Sequence, residues 1–146
     1  MYRFQNGGVI AKAFLGTVPA AAKSAGTVNG TGIDRKPKGG TGFDSCKVVI
    51  NNGATSGSPT SFTNTCKVQD SADNSTFADY TPPTGSASAV NSTASSVTEL
   101  EVDLSMARRY VRVVETIAFV GGTTPTLLAN ASLIAFGTNE TPYSAT

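Results

Sequence analysis

At 146 residues, with 39% hydrophobic and only 14% charged residues, the chain has the size of one domain and a core of Ala, Val, Ile, Leu and Phe without Trp. A formal net charge of +1 argues against a general nucleic-acid or membrane-surface binder, and no run approaches the roughly 20 apolar residues of a membrane-spanning helix. The chain has no histidine, which removes the usual base of a nucleophilic pair and the commonest transition-metal ligand. Neither an enzyme nor a metal or other cofactor is expected.

Residues 1–42 alternate poorly. They hold two Gly-Gly pairs, Ala20-Ala21-Ala22, the GTVNGTG segment and a basic knot from Asp34 to Lys38. This predicts an extended N-terminal arm with at most a short strand or two, tied down by its own sheet or by a neighbouring subunit. Its opening ends in small residues as a signal peptide does, but Gly7-Gly8 and Lys12 interrupt the apolar stretch. An isolated arm cannot bury Tyr2, Phe4, Val9, Ile10, Phe14 and Leu15, and with Arg35, Lys36 and Lys38 these are the candidate partner contacts. Neither GTVNGTG nor KGGTG continues as G-K-[ST] into a helix, so no phosphate-binding loop is read there.

From Phe43 the pattern becomes β, and residues 43–137 are predicted to form the domain. Cys46, Val48 and Ile50 mark a largely buried strand that ends at the turn signal Asn51-Asn52-Gly53. A Ser/Gly/Pro loop leads to a strand over Phe62–Asp70, and Asp73-Asn74-Ser75 turns the chain into Thr76–Tyr80 with Phe77 facing inward. Pro82–Ser96 reads as a loop. Glu99–Leu104 alternates apolar residues with carboxylates, Ala107–Val120 is the longest β segment, and Thr126–Phe136 is the last strand before a polar tail over residues 138–146. The fold class is all-β: an antiparallel β-sandwich or jelly roll with an extended N-terminal arm.

The densest polar stretch, DSADNSTFADY from Asp70 to Tyr80, could be a cation loop or an acidic site. Its aspartates miss the D-x-[DN]-x-[DN]-G spacing and lack a closing Glu, whereas Asp and Asn at a hairpin tip follow from turn chemistry. In Ala107–Val120, Glu115 shares the parity of Val111, Val113 and Ile117. A lone carboxylate in a core row is costly, so a bulge near Val114-Glu115 is expected to turn it out, with pairing to Arg109 or Arg112 as the alternative. Cys46 and Cys66 are expected to be buried thiols. A bridge is geometrically possible if their strands pair.

The order VQDSADNSTFADY followed by ARRYVRV is similar to discoidin-type jelly-roll domains, with Ser71, Asp73, Phe77, Ala107, Arg109, Tyr110 and Arg112 in matching places. A longer series, TVNGTGIDR, FDSCKVVINNG, SGSPTSF, KVQDSADNSTFAD, VDLSMARRYVRVV and FVGGTTP, resembles small structural proteins encoded with tailed-bacteriophage head genes, across about residues 26–126.

The second resemblance implies a virion structural protein of the capsid decoration (cement) type, placed on the capsid surface after assembly in the host cytoplasm. Its implied partners are the major capsid protein and copies of itself, trimers by analogy, with the arm making the contact by strand addition or groove docking. The alternative readings are a carbohydrate-binding β-sandwich that uses loops 51–61 and 81–97 with Tyr80 at their edge, and a tail or connector subunit.

Overall fold

The computed structural model describes residues 11–19, 22–36 and 42–137. The expectations placed on Tyr2, Phe4, Val9, Ile10, Lys38 and the tail 138–146 lie outside the described residues. Within them the chain forms ten strands and no helix: β1 (Ala11–Leu15), β2 (Gly26–Asn29), β3 (Ile33–Asp34), β4 (Ser45–Ser56), β5 (Ser61–Ser71), β6 (Ala78–Asp79), β7 (Ser88–Asn91), β8 (Ser96–Asp103), β9 (Tyr110–Val120) and β10 (Thr126–Phe136).

These strands make two antiparallel sheets. The first runs β1-β10-β4-β8; the second runs β2-β9-β5-β6, with β3 also on β9 and β7 also on β5. Alternation decides which side chains enter the core. On β4 the inward row is Cys46, Val48 and Ile50, on β10 it is Ala131, Leu133 and Ala135, and on β8 it is Leu100 and Val102. Cys66 and Val68 of β5 and Val111 and Val113 of β9 face them from the second sheet. Each such Val, Leu or Ile contributes about 1.5–3 kcal/mol by leaving water, and the expected β-sandwich follows.

The described part of the expected N-terminal arm lies on the protein's own sheets. Residues 11–15 pair with β10, and residues 26–29 and 33–34 pair with β9. The described part of residues 1–42 therefore supplies an edge strand to each sheet. Residues beside the ladder, not alternation, hold it: Gly16 and Thr17 both donate backbone N–H to the carbonyl of Ala131, and Lys23 exchanges both backbone hydrogen bonds with Leu127.

Two turns also differ from expectation. β4 continues through Asn51-Asn52-Gly53 to Ser56, with a register shift opposite Leu127–Ala129. Gly53 is needed there because a Cβ would lie 2.9 Å from that of Leu128, and the chain reverses instead at Gly57 and Ser58, both with positive φ. Within the expected loop Pro82–Ser96, Ser88–Asn91 is a short strand on β5.

Candidate interaction surface

Glu115 is fully buried and β9 keeps an unbroken register beside it, Val114 against Lys67 and Glu115 against Cys66. The expected bulge is absent, and neither Arg109 nor Arg112 reaches it. Arg109 pairs with Asp34 at 2.8 Å and Arg112 donates to Gln69. Glu115 instead accepts from Lys23, from the Thr17 hydroxyl at 2.8 Å and from the Asn64 amide at 2.9 Å. Asn64 also donates to Asn52 (2.8 Å), and Asn52 donates to the carbonyls of Asn91 and Thr93. The Asn91 carboxamide oxygen accepts from the Ser96 hydroxyl and the Thr93 amide.

This polar layer crosses between the sheets. On one side lies the main core; on the other lies a smaller apolar group of Phe62, Ile117, Leu127 and Ala129. Among the described residues every buried side-chain nitrogen and oxygen has a partner, so the layer leaves no polar atom free for a ligand. Asn52, Asn64 and Glu115 each stand at an inward position of their own strand, β4, β5 and β9. Lys23 and Thr17 were missed because they stand outside any regular strand.

Of the candidate contacts, Arg35 is also a correction. It is buried, and its guanidinium donates to the carbonyls of Phe43 (2.7 Å), Ala107 (2.7 Å) and Arg108 (2.9 Å). That fork geometry fastens the end of β3 to the start of β4 and the approach to β9; it presents no charge outward. Lys36 is half-buried, with its amide N–H on the Asp34 carboxylate. Phe14 is half-buried against the core, its ring 6.0 Å from that of Phe43. Only Leu15 of the described candidates is well exposed, at 53%.

DSADNSTFADY is a turn built around one carboxylate. Asp73 Oδ1 accepts from the amides of Ser75 and Thr76 and from the Ser71 hydroxyl, and these bonds hold its carboxyl well below the usual aspartate range. Asn74 takes positive φ. Phe77 does not enter the core as expected: it is half-buried, with the Arg112 guanidinium 4.2 Å over its ring. Tyr80 is buried and donates its hydroxyl to the Asp103 carbonyl at 2.8 Å, so it offers no exposed ring for a sugar to stack on.

The two outer faces differ in chemistry. On the second sheet, Lys67 and Gln69 bond Asp79 and Thr27 bonds Thr116, while Val90 and Val120 stand exposed among them. The outward row of the first sheet carries Ala13 and Leu15 on β1, Ile134 on β10, Val49 on β4 and Val97 on β8, with Leu128 beside the register shift. Leu15, Val97 and Leu128 are 53%, 60% and 48% exposed. Charge on this face runs along β8, where Lys47 bridges Glu99 (2.7 Å) and Glu101 (3.3 Å) and Asp103 lies beyond, with Glu99 in the same row as Val49 and Leu15. At its β1 border a cleft of about 410 Å³, lined by Phe14, Leu15, Val18, Gly30 and Ile33, opens between β1 and the β2–β3 connection.

Compared with known proteins, the chain matches no family model and no curated sequence.

Proposed function

We propose that the chain is a non-enzymatic virion structural protein, a capsid decoration protein of a tailed bacteriophage that docks on the head shell through the outer face of the β1-β10-β4-β8 sheet. The observation that carries this reading is the exposed apolar group Leu15, Val97 and Leu128 on that face, set beside the ionic group of Lys47, Glu99 and Glu101. Exposed apolar patches rimmed by polar residues mark interaction sites. The candidate residues Tyr2, Phe4, Val9 and Ile10 precede β1 in the chain.

The strand order supports the same class. Counting β2 with β3 and β6 with β7 as one position each, the sheets read β1-β10-β4-β8 and β2/β3-β9-β5-β6/β7, the order of an eight-stranded jelly roll. Viral coat and lectin domains share that architecture.

The test compares three proteins: the full chain, the chain without residues 1–10, and a Leu15→Glu/Val97→Lys variant. Each is sedimented with shells assembled from the cognate major capsid protein and applied to a glycan array. Binding of the full chain to shells, weakened at least tenfold by either change, supports the proposal. Undiminished shell binding by the charged-face variant removes this face from the contact, and a glycan signal without shell binding replaces the reading with a carbohydrate-binding one.

A further inference from the structure

From Ala11 to Asn29 the described residues place no apolar side chain fully in the core. Phe14 is half-buried, β2 is almost wholly exposed, and among the segment's described residues the buried positions are Gly16 and Thr17. Yet this segment forms an edge of both sheets, β1 on β10 and β2 on β9. Its attachments include backbone ladders, the half-buried Phe14 ring beside Phe43, the Ala131 amide on the Thr17 hydroxyl, and the convergence of Thr17 and Lys23 on one oxygen of Glu115. The core itself belongs to residues 33–135, which retain β10-β4-β8 and β9-β5 when the segment is set aside. Gly30-Thr31-Gly32 joins the segment to β3, and just beyond it Arg35 is fastened to three carbonyls of the body.

We infer that residues 11–29 are an exchangeable clasp, which releases from the sandwich as a unit and is replaced by the same segment of a second copy. Release uncovers the edges of β9 and β10 together and strips Glu115 of its ammonium and hydroxyl partners. A buried carboxylate left unpaired is strongly unfavourable, so the open body selects a strand that returns both. A replacement has to pair along β10 while presenting a hydroxyl and, six residues later, a cation. The corresponding segment of another copy meets that requirement by identity. Main-chain pairing supplies the remaining attraction, as in other strand-addition complexes. The inference holds whether or not the partner of the outer face is a capsid.

Two measurements on the full chain test it. In hydrogen exchange, the amides of β1 and β2 are expected to exchange at least tenfold faster than the inner amides of β4 and β5. Glu115→Gln is expected to widen that gap by a further tenfold or more. Equal rates for clasp and body overturn the proposal. In the second measurement, an Ala13→Cys chain is mixed with an Ile134→Cys chain and oxidised, these positions being register partners across β1 and β10. A covalent heterodimer is expected, and none is expected when Val97→Cys on the far edge replaces Ile134→Cys. Absence of the first dimer, or equal yield from both pairings, overturns exchange between copies. Capsid binding enters neither readout.

Discussion

A carboxylate at the centre of a β-sandwich is tolerable only while donors surround it, and Glu115 has three of different strength. Its partners are not equivalent. Glu115 is fixed in the inward row of β9, whereas the Lys23 ammonium ends a long side chain that is 8% exposed and can swing toward water. Lys23→Met is therefore expected to lower unfolding free energy by about 3–5 kcal/mol, the range for breaking a buried pair. Glu115→Gln is expected to cost less, and the double variant to lose less than the sum. Urea denaturation of the four proteins measures the cycle; strict additivity would show that the two groups do not interact. Four aspartates are held below the ordinary aspartate range by their neighbours. Arg109 lowers Asp34, the Thr76 and Ser75 amides lower Asp73, Gln69 and Lys67 lower Asp79, and Ser105 lowers Asp103. A carboxyl depressed in the folded state adds stability above its unfolded pKa and loses it as pH falls through its folded one. The melting temperature should thus hold from neutral pH to near the ordinary aspartate value of 3.8 and fall below it. Asp73→Asn should shallow that fall.

At the scale of elements, the sequence signal was strongest where one face is apolar and the other is not. β10 is found at the expected Thr126–Phe136, and β5 and β9 within a few residues of theirs, because alternation and flanking Gly or Pro agree. It failed at Asn51-Asn52-Gly53, where turn-forming residues serve a different purpose: Asn52 joins the buried polar layer and Gly53 admits Leu128. β1 to β3 were illegible as sheet edges, since two of the three are nearly all exposed or too short to show a period. The real reversal, where Gly57–Pro59 meets Gly121–Pro125, is tightly interlocked. The Thr123 amide donates to the Gly57 carbonyl at 2.8 Å, and a Cβ on Gly122 would lie 2.5 Å from that same oxygen. Gly122 also takes φ of 84°. Gly122→Ala is expected to cost at least about 1–2 kcal/mol for the left-handed backbone alone, read as a lower urea midpoint at unchanged slope. Arg35→Lys tests a different joint. One ammonium cannot reproduce a fork that serves three carbonyls, and leaving buried acceptors unmatched costs about 1–3 kcal/mol. A variant as stable as the parent would show that the fork is not what holds β3 to β4.

Across the whole molecule, the apolar rows define which residues are inside but not which sheet each strand joins, because every inward row reads alike. The cysteines illustrate this. SCKVVI and TCKVQ look like neighbouring strands, yet β4 and β5 lie in different sheets, and both thiols are free and buried in the same core. Burial pushes each thiol up to about 12, aided at Cys66 by the nearby Glu115 charge. At pH 7 to 9 both therefore stay protonated as well as covered, and the thiolate is the reactive form. Both side chains belong to the shared core between the sheets, and they are 2% and 0% exposed. Labelling of native protein by an aromatic disulfide reagent is thus expected to be negligible at both sites, even where the clasp opens, because Cys46 and Cys66 sit beneath body strands. As urea is raised, the two should become reactive together, following the loss of the far-ultraviolet β signal. Modification of one thiol while that signal is intact would mean that the sheets separate locally, and that the body is not one cooperative unit.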